Sequence, residues 1–257
     1  MKKNTKIIAT IGLSSNTKEI IREMILNGMD FARLNFSWGT YEEHKNYIQI
    51  IRELNQELNK DVKIIQDLSG PRIQNENGHE YNEEAIEVIT EKDLKDLAFG
   101  IENNIDYVAM SYVGDKNDIL KLRNEMEKSG KVLPIIAKIE RKLAYLNLDE
   151  IINETDLVMI ARGDLGNEVP LEQIPFIEKD IILKCNQKNK SVIVATQMMF
   201  SMKENILPTR AEVTDVVFAV ISGADIVMLS DETASGKYPV ESVNMMKKII
   251  TESEKHI

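Results

Sequence analysis

A single α/β barrel of eight parallel strands, the (β/α)8 or TIM type, is the fold that the sequence predicts. Three observations carry it. Eight apolar runs alternate with amphipathic segments from end to end of the chain, and strict alternation with short connections requires a parallel sheet. The 257 residues match one such barrel, typically ~250 residues long. Polar and charged residues gather where the apolar runs stop, at the strand ends where parallel α/β sheets bind ligands.

The eight strands are read at residues 5–12, 30–37, 62–70, 107–113, 133–140, 157–165, 191–199 and 226–233. Their Ile, Val, Leu and Ala content suits burial on both faces. Helical segments fall at 41–59, 91–103, 116–128, 171–186, 210–222 and 240–254. In the first of these Ile48, Ile51, Leu54 and Leu58 recur at helical spacing and form one apolar stripe. Thr90 with Asp93 three residues on marks a capped start, Pro170 opens a helix, and Gly130 and Gly223 follow helix ends. The segment Pro208-Thr-Arg-Ala-Glu212 reads as another capped start. One connection is long: residues 71–90 follow the third strand, carry the turn signal Asn77-Gly78, and read either as a small hairpin from 74–79 and 83–88 or as a plain loop. Residues 1–257 form one domain, with 71–90 as its only excursion.

Composition is that of a soluble globular protein, with 43% hydrophobic and 29% charged residues. The net charge of −10 argues against general nucleic-acid binding, which needs a phosphate-neutralising surface. No run approaches the ~20 apolar residues of a membrane span. Cys185 is the only cysteine, so no internal disulfide forms and a cytoplasmic location is expected. His44, His79 and His256 are scattered without metal-ligand spacing and receive no catalytic role. The pairs Met198–Met199 and Met245–Met246 read as core packing.

Glu140 and Asp164 each stand at the end of an apolar run. In a parallel barrel they converge on one mouth, and two hard oxygen donors with room for water suit Mg²⁺ or Mn²⁺. Lys138 lies two residues before Glu140, so the strand period points both to one face. A cation there stabilises charge developing on an oxygen. Arg33, Asn35 and Ser37 alternate on one face of the second strand, and Asp67 ends the third. Asn and Ser oxygens beside a carboxylate make a candidate monovalent-cation nest or a polar plug, with Arg33 available for a carboxylate or phosphate. Gly163 and Asp164 open a turn whose amides favour an anion. Thr196 and Gln197 end the seventh strand, and Ser230 and Glu232 end the eighth; Glu232 is expected to neutralise Arg33.

These residues sit in seven ordered motifs: Thr5-Lys-Ile-Ile-Ala-Thr-Ile-Gly12, Ala32-Arg-Leu-Asn-Phe-Ser37, Ala137-Lys-Ile-Glu140, Ala161-Arg-Gly-Asp-Leu-Gly166, Ala195-Thr-Gln-Met198, Pro208-Thr-Arg-Ala-Glu212 and Met228-Leu-Ser-Asp-Glu-Thr233. Together they resemble the catalytic barrel of the pyruvate kinase family, from Thr5 to about Ser253. The resemblance implies a phosphoenolpyruvate- and pyruvate-binding barrel. It implies Glu140 and Asp164 as ligands of Mg²⁺ or Mn²⁺, and Lys138, Arg33, Thr196 and Ser230 as catalytic residues. Gly163, Asp164, Thr196, Arg33 and Ser111 would bind substrate. Asn35, Ser37, Asp67 and the carbonyl of Leu68 would bind K⁺, with Glu232 and Gln197 in support.

The departures from the family pattern are as informative. Only residues 71–90 stand where the family inserts a lid domain, and the C-terminal regulatory domain has no counterpart. Trp38 replaces a histidine, Leu68-Ser69-Gly70-Pro71 replaces Thr-Lys-Gly-Pro, Gln74 replaces an arginine near Arg72, Gly114-Asp115 replaces a basic pair, and Arg141-Lys-Leu-Ala144 replaces Asn-x-Glu-Gly. Most losses fall on the side that handles nucleotide phosphates. Three readings follow. The first is a Mg²⁺- and K⁺-dependent phosphotransferase acting on phosphoenolpyruvate or pyruvate with ADP/ATP or another phosphoryl acceptor. The second is a metal-dependent 2-oxo-acid lyase or decarboxylase, and the third a non-catalytic phosphoenolpyruvate or pyruvate sensor. A small-molecule substrate is expected, without nucleic acid or membrane, and a homo-oligomer or a lid-supplying partner is compatible with the sequence.

Overall fold

The structure, a computed structural model, describes residues 4–75, 78–82, 84, 85 and 87–257. Eight strands close into a parallel barrel: β1 (Lys6–Ile11), β2 (Phe31–Asn35), β3 (Lys63–Asp67), β6 (Tyr107–Met110), β7 (Ile135–Ile139), β8 (Leu157–Ala161), β9 (Ser191–Ala195) and β10 (Ile226–Leu229). Two further strands, β4 (Arg72–Asn75) and β5 (Gly78–Tyr81), pair antiparallel outside it. The helices are α1 (Lys18–Leu26), α2 (Tyr41–Leu58), α3 (Glu91–Glu102), α4 (Lys116–Lys128), α5 (Lys142–Leu146), α6 (Leu148–Glu154), α7 (Arg162–Glu168), α8 (Ile174–Gln187), α9 (Arg210–Ser222), α10 (Asp231–Ala234) and α11 (Pro239–Ser253). Among the described residues no helix is long and apolar enough to cross a membrane.

The strand period divides the core in two. Ile7, Ala9, Ala32, Leu34, Ile64, Val108 and Val194 point outward to the helices. Ile8, Ile65, Ala109, Ile136, Met159, Ile193, Ala195, Ile226 and Met228 fill the barrel interior. Two residues further along several strands, the next inward position is polar: Thr10, Asp67, Ser111, Lys138 and Ser230, with Arg33 two after the partly buried Phe31. An apolar floor therefore carries a polar mouth at the carboxyl ends of the strands.

Several helix starts are locally encoded. Thr40 with Glu43, Thr90 with Asp93, Asp115 with Asp118 and Thr209 with Glu212 all form reciprocal capping boxes. Gly223 takes φ 107° at the end of α9, a conformation glycine adopts without cost. Met198, Met199 and Met246 are buried and Met245 is partly buried, as packing side chains should be.

Four readings of the sequence need correction. The apolar run from 157 stops at Ala161, and Arg162–Glu168 is helical, so Asp164 stands in the first turn of α7 rather than on a strand. Pro170 precedes a 3-10 turn at Leu171–Gln173; α8 begins at Ile174 with Pro175 in its first turn. Helices α1, α5 and α6, short or weakly patterned, were not anticipated. The excursion is a hairpin, but Gly78–Tyr81 supplies the return strand, and residues 84, 85, 87 and 88 lie outside any strand. Asn77, Glu83 and Ile86 fall outside the described residues.

The floor should contribute strongly to stability. Ile136 is wholly buried, so Ile136→Ala is expected to cost ~2–5 kcal/mol, measured by urea unfolding; a loss below ~1 kcal/mol would show that the interior can collapse around the gap.

Candidate active site

Three strands bring a buried ion network into the mouth. Arg33 Nε donates to Asp67 Oδ2 at 2.6 Å, and its Nη1 donates to Thr10 Oγ1 at 3.1 Å. Lys138 Nζ donates to Asp67 Oδ1 at 3.2 Å and to Ser111 Oγ at 2.6 Å. The Ser111 hydroxyl in turn donates to the Leu68 carbonyl at 2.7 Å. Lys138 also lies 3.3 Å from Glu140 Oε2. Asp67, Lys138 and Glu140 are all at least 95% buried, so the charges compensate one another with little help from water.

The electrostatics follow from that burial. Burial alone would raise the Asp67 carboxyl, but the Arg33 and Lys138 charges outweigh it and hold it down at about 2. Burial alone would lower the Lys138 ammonium, but Asp67 and Glu140 outweigh it and keep it above its ordinary value. The mouth therefore presents a protonated lysine at neutral pH. Glu140 is pushed up, first by burial and then by the neighbouring Asp164 and Asp67 charges, against the pull of Lys138.

Glu140 Oε1 accepts the Tyr112 N–H at 2.6 Å. Its other oxygen is buried without a hydrogen-bond partner, close enough to Lys138 for attraction but outside hydrogen-bond geometry. A buried carboxylate oxygen left open in this way fits a divalent cation, and Asp164 lies close enough to raise the Glu140 carboxyl. Among the described residues no three His, Cys, Asp or Glu side chains converge as a cage. A site of two carboxylates completed by water and substrate is the arrangement Mg²⁺ tolerates.

A cavity of about 490 Å³ occupies the mouth, and Arg33, Arg72, Lys138, Asp164, Thr196 and Ser230 line it. Glu140 does not line it; its carboxylate is turned toward Tyr112 and Lys138. A second cavity of about 470 Å³ shares Arg33, Asn35, Trp38, Ser230 and Asp231 with the first. A separate groove between α9 and α11, lined by Val213, Val217, Ile221 and Ile249, contains none of these groups.

Thr196 and Gln197 take φ 70° and 54°, left-handed backbone that bends the chain over the cavity. Arg162 stabilises the bend: its guanidinium donates to the Thr196 carbonyl at 2.8 Å, while Glu178 and Asp215 accept from it at 3.1 and 2.7 Å. Gly163 N–H donates to Thr196 Oγ1 at 2.8 Å. The amide and hydroxyl expected to receive a carboxylate are thus brought together, at present as partners of each other. Of the four expected K⁺ donors, Asn35 Oδ1 accepts the Ser37 N–H at 3.1 Å and the Leu68 carbonyl accepts from Ser111. Both Asp67 oxygens face cations, and the Ser37 hydroxyl is buried without a partner.

The expected Glu232–Arg33 pair is not formed. Glu232 is completely buried and accepts the Met199 and Ser230 N–H groups at 3.0 and 2.8 Å, while Arg33 is taken by Asp67. The reason is local: β10 ends at Leu229, and α10 turns Glu232 back onto the backbone amides of the two preceding mouth segments. The Ser230 hydroxyl is buried and unpartnered beside them. Sequence reasoning passed over Thr10, Tyr112 and Arg162; the Arg next to Gly163-Asp164 was the available signal for the last. Arg72, noted in the sequence only as lying near the missing arginine at Gln74, lines the cavity.

The network has a pH signature. A carboxyl depressed to about 2 contributes stability that is present above its ordinary value of 3.8 and lost as pH falls toward 2. Asp67→Asn should cost ~3–5 kcal/mol at pH 7, by leaving two buried cations short of a partner. It should also flatten stability against pH between about 4 and 2, in urea unfolding across that range. An unaltered acid slope would mean that Asp67 does not anchor the network.

Known proteins give the geometry its context. The family profile described as pyruvate kinase, barrel domain, matches residues 2–88 and 81–243, so the match is broken next to the hairpin. A pyruvate kinase of Thermococcus litoralis is 37% identical over 332 aligned positions, covering 98% of this chain and 70% of the relative. One from Clostridium perfringens is 36% identical, covering 98% and 71%. One from Staphylococcus aureus is 33% identical, and this chain spans only 57% of its length. These alignments run over more positions than the chain has residues, so the relatives carry inserted segments that it lacks. On barrel, motifs and relatives alike, the chain belongs to the pyruvate kinase family.

Proposed function

We propose that the chain acts on phosphoenolpyruvate or pyruvate as a phosphotransferase that proceeds through an enolate, with Mg²⁺ or Mn²⁺ and K⁺ as cofactors. The observation that supports this reading best is that the protonated Lys138 and Arg33 line one mouth, with a Glu140 oxygen that has no hydrogen-bond partner 3.3 Å behind Lys138. Glu140 and Asp164 would hold the divalent ion, which when bound supplies positive charge to a developing enolate oxygen. Lys138 lines the cavity and offers its cation to the same charge without reorganisation, since Asp67 and Ser111 already hold it. Arg33 and Arg72 face the cavity and neutralise a phosphoryl group. The Thr196 hydroxyl, accepting from Gly163, keeps its own proton to donate to a substrate carboxylate. Asn35, Ser37, Asp67 and the Leu68 carbonyl would hold K⁺, with the unpartnered Ser37 hydroxyl as the strongest argument for it.

A second reading, a metal-dependent lyase or decarboxylase of a 2-oxo acid, is favoured by one feature. The positions where the family places a basic pair, Gly114 and Asp115, form the acidic cap of α4, with both N–H groups donating to Asp118. The cation that stands against Gly114 is Arg141, from the segment after β7, and not a basic pair at these two positions, whereas the residues expected on the enolate side are all present.

Exchange of the pyruvate methyl protons with deuterated water separates the two sides. Mg²⁺-dependent exchange that Lys138→Met abolishes is expected, beside weak phosphorylation of ADP. One lost preorganised donor costs ~10²–10³ in rate, and several are missing on the nucleotide side. ADP phosphorylation at the ~1–100 s⁻¹ ordinary for kinases would show the lid and those cations to be dispensable. Activity should also rise when K⁺ replaces tetramethylammonium at equal ionic strength. No difference would leave Asn35, Ser37 and Asp67 as a structural plug.

A further inference from the structure

The two residues that follow β7 are gripped from one place. Glu140 accepts the Tyr112 N–H at 2.6 Å, and Arg141 Nη1 donates to the Tyr112 carbonyl at 3.4 Å. The Arg141 guanidinium lies 3.8 Å over the Tyr81 ring, and the Tyr81 and Tyr112 rings are 5.3 Å apart at 49°. Tyr81 is the last residue of β5, so the hairpin closes this circuit.

Tyr112 does not adopt its conformation for nothing. Its φ is 58°, and apart from three Asn residues only Thr196 and Gln197 share that region among the described non-glycine residues. Left-handed backbone costs a bulky residue of order 1–3 kcal/mol and persists only where the surroundings over-determine it. Here they do. Gly70, at φ 64°, lies against the ring so closely that a Cβ there would stand 2.7 Å from Tyr112 Cδ2. Tyr81 covers the ring on another side, and Arg141 ties its carbonyl. The left-handed turn aims the Tyr112 N–H at Glu140.

We propose that the β4–β5 hairpin, through Tyr81, Arg141 and Tyr112, is a positioning clamp that sets the Glu140 carboxylate: one oxygen is pinned by the Tyr112 amide, so that the other faces Lys138 with no hydrogen bond of its own. Tyr112, Tyr81 and Arg141 are positioning residues; none of them lines the mouth cavity. The hairpin thereby has a role beyond closing a gap in the chain: it braces the metal-side carboxylate from behind. The proposal rests on Glu140 being a metal ligand, as set out above, and its test separates the two.

Tyr81→Ala removes the outer ring and leaves Tyr112, Arg141 and Glu140 in place; Tyr81→Phe keeps the ring, and Arg141→Gln breaks the circuit at a second point. The Tyr112 amide proton resonance is followed by NMR in the metal-free protein, Mn²⁺ affinity by titration, and the thermal midpoint alongside. Tyr81→Ala and Arg141→Gln are expected to move the amide resonance upfield and weaken Mn²⁺ by ~10-fold or more, the range typical when a ligand's orienting partner is lost. Tyr81→Phe is expected to behave as wild type. An unmoved amide in both disruptive variants overturns the clamp, as does failure of Tyr81→Phe to rescue, or a lowered thermal midpoint with unchanged amide and affinity. A moved amide with Mn²⁺ affinity unchanged in those variants and in Glu140→Gln supports the clamp and overturns Glu140 as a metal ligand.

Discussion

Everything at the mouth depends on the carboxylate of Asp67, which receives Arg33 on one oxygen and Lys138 on the other. Those three side chains arrive from β2, β3 and β7, and none is adjacent to another in sequence. Removing one charge from such a group leaves the remainder buried and unpaired, which is why networks of this kind are stiff. Stiffness is what the proposed enolate chemistry would use. On the proposed chemistry, a lysine held by Asp67 and Ser111 would meet a developing negative charge already oriented, whereas a mobile one would have to be ordered during the reaction.

Around that anchor the mouth is assembled from backbone as much as from side chains. Glu232 captures two main-chain amides, Arg162 captures the Thr196 carbonyl, and Tyr112 lends its N–H to Glu140. Apart from the local Glu232–Ser230 contact, each of these ties the end of one strand to the segment after another. The barrel sets where the strand ends lie; these main-chain contacts set the direction in which the chain leaves them. Left-handed turns at Tyr112 and Thr196 are the result.

The barrel was legible because its causes are local and repeated. Residues such as Ile7 and Ile8 alternate outward and inward with the strand period, and capping pairs such as Thr40 with Glu43 write helix starts directly into the sequence. The motif residues Arg33, Lys138, Asp164 and Thr196 do line one cavity. What sequence could not convey was partnership. Glu232 and Arg33 have opposite charges and come from or just after the two strands that flank β1, yet α10 folds the glutamate onto amides, which no side-chain rule anticipates. Tyr112 was silent because its contribution is an N–H, a group every residue but proline carries. Residues 157–165 read as one apolar run because Leu165 is buried in α7 as fully as Ile160 is in β8.

The apolar floor formed by Ile8, Ile65, Ile136, Met159, Ile193 and Met228 has a consequence for access. It plugs the barrel, so the mouth is a vessel and not a conduit. Lys138, almost wholly buried just above that floor, is therefore approached from the side on which Trp38, more than half exposed, stands.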